Sequence, residues 1–165
     1  MIPNQPIVRF QSIVLQPHRI QFVIDEQPSI IVCAAGWIYG GMEGRPFTAF
    51  AVWVAVLLSF VLLYRLIYLR RTRYYIGSEQ IISKHGVLSR KTDYMEQYRI
   101  VDFVEHQSFM QQLCGLKTVR IFSTDRNTPQ LDLVGIRRNL DVVRLIRERV
   151  EYNKLKKGIY EITNH

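Results

Sequence analysis

The chain has 165 residues, 48% of them hydrophobic, a formal net charge of +8 and only two cysteines. That composition excludes a disulfide scaffold and a charge-rich disordered segment. The charge is uneven: residues 1–69 hold four Lys/Arg against three Asp/Glu, and residues 70–165 hold eighteen against eleven.

The N-terminus, MIPNQPIVRF, lacks the charged-then-apolar order of a signal peptide, and the main apolar run comes too late for one. In residues 1–28, IVRFQSIV and RIQFVID are short, β-branched and aromatic, with Gln16-Pro17-His18 between them. This predicts a β-hairpin or an amphipathic segment at a membrane surface. Residues 29–42, SIIVCAAGWIYGGM, are uncharged but make a helix of only about 21 Å. Extension back to Phe22 takes in Asp25, Glu26 and Pro28, which are costly in lipid. Two readings stay open here: the first arm of a helical hairpin, or a shallow re-entrant or interfacial segment. Gly40 to Pro46 is a glycine- and proline-built turn.

Phe47 to Tyr64, FTAFAVWVAVLLSFVLLY, is a run of eighteen uncharged residues. As a helix it is about 27 Å long, close to the hydrocarbon thickness of a bilayer. Arg65, Arg70, Arg71 and Arg73 follow it and mark the cytoplasmic side by the excess of positive charge. Arg9 and Arg19 fit a cytoplasmic N-terminus, and the helix is expected to run on to about Leu69. Tyr64, Tyr68, Tyr74 and Tyr75 suit an aromatic collar at the inner interface, and Trp37, Phe47 and Trp53 one on the outer side. Gly36 and Gly40 are four residues apart, as are Ala51, Ala55 and Ser59. Such small-residue stripes let two helices approach closely, within the hairpin or between copies.

From Tyr74 the pattern changes to short strands. Candidates are Tyr74–Ile76, Gln80–Lys84, Val87–Met95, Arg99–Gln107, Lys117–Ser123 and Gln130–Val134, with Gly135 closing the sheet region. Ser108 caps a short helix, FMQQLCG, that Gly115 ends. Asn139 is the expected N-cap of a last helix whose stripe is Val143, Ile146 and Val150, widened by Val142 and Leu145, with Arg144, Arg147, Glu148 and Glu151 solvated. Residues 29–69 thus read as a transmembrane hairpin, 70–153 as a compact β-rich module and 154–165 as a tail.

Tyr74–Val150 resembles the bacterial pleckstrin-homology-like domain of the membrane-flanked class. The resemblance rests on YYIGSEQIISKHGVLSR, on YRIVDFVEHQSFMQQLCGLKTVRIFS and on LDLVGIRR. It implies a seven-stranded bent barrel capped by a C-terminal helix, preceded by two spans. It implies little about activity: some members are associated with export of, or resistance to, antibacterial peptides, and others look like assembly scaffolds.

No catalytic constellation stands out. His18, His85, His106 and His165 form no HExxH or Cys/His cluster, and there is no GxSxG elbow or phosphate loop. Cys33 and Cys114 read as two buried thiols. Lys84, His85, Arg90 and Lys91 surround Gly86-Val87-Leu88, a basic rim with an apolar tip suited to anionic headgroups. Nucleic acid is not expected, because Tyr94, Tyr98, Phe103, Phe109 and Phe122 fall where a core should be. The expectation is a non-enzymatic inner-membrane protein without cofactor or metal. Its cytoplasmic domain contacts membrane lipids and a protein partner or its own copies. A transporter or pore subunit is the alternative, although Phe47–Tyr64 carries no ionisable residue. An accessory anionic-lipid module is a further one.

Overall fold

A computed structural model describes residues 10–42 and 44–158. The expectations for residues 1–9 and for the tail IYEITNH lie outside the described residues. Seven strands form two antiparallel sheets, ordered β1-β2-β3-β4 and β5-β6-β7. Strands β1 (Ile13–Leu15), β2 (Arg73–Ile76), β3 (Gln80–His85) and β4 (Lys91–Glu96) make the first sheet. Strands β5 (Ile100–His106), β6 (Leu116–Ser123) and β7 (Gln130–Arg137) make the second. Helices α1 (Ile20–Gly40) and α2 (Thr48–Arg71) stand between β1 and β2 in the chain. Helix α3 (Phe109–Leu113) links β5 to β6, and α4 (Val142–Lys156) closes the fold.

The period-two pattern fixes the sheet faces. Ile76, Ile81 and Met95 sit directly opposite one another across β2, β3 and β4, and all three are fully buried. They meet Val119, Ile121, Leu131 and Leu133 of the second sheet. Val142, Ile146 and Val150 of α4, at i, i+4 and i+8, add one helix face to this aliphatic core. Arg144, Arg147, Glu148 and Glu151 are exposed on the other face, as the sequence predicts. A buried polar contact locks α4 to the sheet: Asn153 Nδ2 donates to Gln97 Oε1 at 3.1 Å and to the Ser78 carbonyl at 2.6 Å.

Several local expectations change. Among the described residues the N-terminal segment forms no β-hairpin. Ile13–Leu15 pairs with β2 across the intervening hairpin (Leu15 opposite Tyr74), and the RIQFVID stretch supplies the first turns of α1. β-branched residues carry strand propensity, but in the helix the buried Gln21 accepts from Gln111 and the buried Glu26 pairs with Arg65, which offsets the cost of burying them. Asp25, Glu26 and Pro28 therefore lie inside α1 rather than before it. The third strand starts at Lys91, not Val87, because Gly86 adopts φ +112° and opens a turn. A Cβ on Gly86 would lie 1.9 Å from the Ser89 carbonyl oxygen, so only glycine fits.

Strand β7 runs past Gly135 to Arg137. Gly135 has φ +66° and lies opposite a register shift in the β6–β7 ladder, so it bends the strand rather than ending it. Its carbonyl accepts from His18 N–H at 2.9 Å, and a Cβ there would lie 2.9 Å from Gln21 Cβ. The start of α1 is seated on the second sheet at this bend. The N-cap of α4 is Asp141, which accepts from Arg144 N–H at 3.1 Å, rather than Asn139. Ser108 caps α3 as expected, in a reciprocal box with Gln111.

Burial corrects three further points. Tyr74 is 4% exposed and belongs to the core, not to a collar. Its hydroxyl accepts from Val134 N–H at 3.3 Å, and burial pushes its pKa up to about 12, so it stays neutral. Cys33 is buried but Cys114 is exposed. Tyr94 and Phe109 are exposed, and Tyr98, Phe103 and Phe122 are only half-buried, because aliphatic side chains fill the core.

Candidate functional site

The site begins where α2 ends. Arg70 and Arg71 occupy its last turn. A single residue, Thr72, separates helix from strand. Its N–H donates to the Tyr68 and Leu69 carbonyls at 3.1 and 3.2 Å, and its hydroxyl donates to the Tyr68 carbonyl at 3.0 Å. Arg73 then opens β2 directly opposite Lys84 on β3. The β3–β4 turn folds back so that Arg90 precedes Lys91, which pairs with His85.

These three segments enclose a pocket of about 390 Å³. Arg70, Arg71, Arg73, Lys84, Arg90 and Lys91 line it, with His85 between them. All six of those lysines and arginines are exposed. Lys84 Nζ stands 4.9 Å from the centroid of the Tyr75 ring, a cation–π contact that fixes its direction. Asp93 is the nearby counter-charge, 3.2 Å from Lys91 Nζ and 3.8 Å from His85 Nδ1. Among the described residues no carboxylate pairs with Arg70, Arg71, Arg73, Lys84 or Arg90. So many like charges in one place repel unless an anion joins them. The carbonyl end of α2 supplies only a weak fixed negative dipole. Leu88, at the tip of the turn, is 92% exposed.

The sequence names two separate groups here: four arginines that set topology, and Lys84, Arg90 and Lys91 as a basic surface. The structure joins the two into one pocket, except for Arg65. Arg65 lies further up α2 and pairs with Glu26 of α1, whose side chain is buried. That ion pair, between residues 39 apart, has no sequence signature.

The small-residue stripes meet each other. A Cβ on Gly36 would lie 3.1 Å from Ala55 Cβ and 3.6 Å from the Ala51 carbonyl oxygen. One on Gly40 would lie 2.5 Å from a methyl of Val52. Ala55 is fully buried. Ser59 Oγ lies 3.3 Å from Cys33 Sγ and accepts from Trp37 Nε1 at 3.2 Å. Gly36, Gly40, Ala51, Ala55 and Ser59 therefore pack α1 on α2 within one chain. Among the described residues, one helix, Thr48–Arg71, is long and apolar enough to cross a membrane.

The profile of the bacterial PH domain matches residues 29–150. No curated protein and no solved structure matches the chain. The match begins inside α1 and ends in α4, so it covers the hairpin as well as the sheets. The chain belongs to the bacterial PH domain family.

Proposed function

We propose that this bacterial PH domain protein is a non-enzymatic integral protein of the inner membrane. In this reading α1 and α2 form the anchoring hairpin and residues 73–158 lie on the cytoplasmic side. The two sheets form a bent barrel, left open along β5, under α4. The basic pocket draws the domain onto anionic headgroups, and the opposite surface presents contacts to a protein partner or a second copy.

One observation carries the reading. Six cations from three chain segments converge, short of counter-ions, at the end of the apolar helix where headgroups would lie. Each Lys or Arg near an anionic surface contributes about 1 kcal/mol, so together they are enough to orient a domain already tethered beside it. The partner contact is supported by β5, an edge strand with exposed Val101 and Val104, and by exposed Phe109 and Leu113 on α3.

The test uses the full chain in nanodiscs, with Cys114→Ser and a fluorophore on Leu88→Cys. A headgroup-level quencher should act strongly in discs containing phosphatidylglycerol and weakly in pure phosphatidylcholine. Lys84→Glu with Arg90→Glu should remove the difference. Equal quenching in both lipids would defeat the headgroup reading. Cysteine labelling at Gly44 from either side counts the crossings.

A further inference from the structure

We propose that the cleft between the base of the hairpin and the inner face of the first sheet binds a primary ammonium compound with an apolar moiety. This does not rest on the headgroup reading, since the cleft and the basic pocket share only His85 in their linings and carry opposite charge.

The cleft measures about 430 Å³, room for a small organic molecule rather than a single water. Its floor is one sheet row nearer the helices than the core. Tyr74, Ser83 and Asp93 sit directly opposite one another across β2, β3 and β4, next to the row of Ile76, Ile81 and Met95. Helices α1 and α2 and strand β7 form the remaining walls.

Ser83 supplies the first pointer. It is 3% exposed and lines the cleft, yet its hydroxyl has no hydrogen-bond partner among the described residues. That hydroxyl opens into the cleft with its donor and acceptor unused, so a ligand there can take it up.

Charge supplies the second. The protein is basic overall, yet Asp25, Glu26, Asp93 and Asp132 all line this cleft. Three are matched: Glu26 by Arg65, Asp93 by Lys91 and His85, and Asp132 by Arg120 through two hydrogen bonds of 2.8 and 2.9 Å. Asp25 is an exposed residue with only the Gln21 amide, at 2.7 Å, and no cation among the described residues, so its carboxylate is open to a ligand from solvent. Arg65 and His85 also line the cleft, but four carboxylates outnumber them and disfavour an anion. A bare metal ion is disfavoured, because no group of three His, Cys, Asp or Glu among the described residues has metal-holding geometry.

The walls decide what kind of cation fits. Phe22, Tyr68 and Tyr74 offer ring surface, and Leu69, Leu131 and Val134 are aliphatic. Aromatic faces beside a carboxylate attract ammonium groups, and the aliphatic part takes the remainder of the molecule. The amine comes either from a lipid headgroup or from a free compound.

The probe is 2-phenylethylamine against its neutral isostere 2-phenylethanol, titrated into the full chain in phosphatidylcholine nanodiscs with empty discs as blank. The amine should bind about tenfold tighter than the alcohol, as expected for a charge-assisted contact. Asp25→Asn should erase that preference and Ser83→Val should weaken both probes, while Glu148→Gln on the solvent face of α4 changes nothing. Discs containing phosphatidylethanolamine separate the sources: competition identifies a lipid amine, and its absence a free one. Equal affinity for the two probes, or no binding of either, overturns the proposal without any variant having to fold.

Discussion

In the two-sheet domain the inward residues are aliphatic (Ile81, Ile121, Ile146) and the outward ones carry charge. In the hairpin the order is reversed. Phe50, Trp53, Leu57 and Phe60 point outward, while the seam holds Gly36, Ala55, Cys33 and Ser59. Each part suits a different solvent. Water rewards burial of large apolar groups, whereas lipid does not distinguish them from itself and leaves close backbone packing and hydrogen bonds to hold helices together.

The sharpest way to break that contrast is to truncate one large apolar residue in each region. Ile81→Ala, in a fully buried site, should destabilise the sheet domain by about 2–5 kcal/mol. Phe60→Ala, at an exposed site, should stay within about 0.5 kcal/mol. Denaturant melts of the reconstituted chain measure both, and similar losses would erase the distinction. Gly36→Leu should then disturb only the hairpin, by about 1–3 kcal/mol, because even the added Cβ would lie 3.1 Å from Ala55 Cβ. Spin labels at positions 38 and 57 would report wider separation, with the sheet domain's melt unchanged.

Asn153→Ala should cost about 1–2 kcal/mol, because it strips the buried Gln97 carbonyl of a donor. Unlike Gly36→Leu, it should leave the label distance alone. The smallest effect is electrostatic. The Lys156 ammonium, 2.7 Å away, holds the exposed Glu79 carboxyl below its ordinary range. A carboxyl shifted downward contributes stability above its unfolded pKa and loses it as pH falls through the folded one. Wild type and Glu79→Gln should therefore differ slightly at neutral pH and converge in acid below about pH 4. A gap that persists there would assign the difference to something other than this pair.

The parts legible in the sequence are those set by neighbours along the chain. The apolar run, the strand periodicity, the Ser108 cap and the stripe of α4 all depend on residues within about two turns of one another. What escaped depends on distant partners. Asp25, Glu26 and Pro28 look hostile to an apolar helix, but the start of α1 is seated on Gly135 and Glu26 finds Arg65. Tyr74 reads as interfacial until β1 covers it. The basic residues were each visible, but their meeting requires the one-residue step at Thr72 and the His85–Lys91 pairing. The acidic cleft had no local signature, since its walls come from α1, α2, three strands of the first sheet and β7.

The pairing of Leu15 with Tyr74 has a consequence for how the protein is made. β1 leaves the ribosome well before β2, and everything destined for the bilayer in the proposed reading is synthesised in between. Until α1 and α2 have been made, β1 has nothing to join, and one flank of the first sheet stays bare. In that reading a chain in which only one of the two helices crossed would strand the two halves on opposite sides of the membrane. Completion of the first sheet would then require that both helices had crossed.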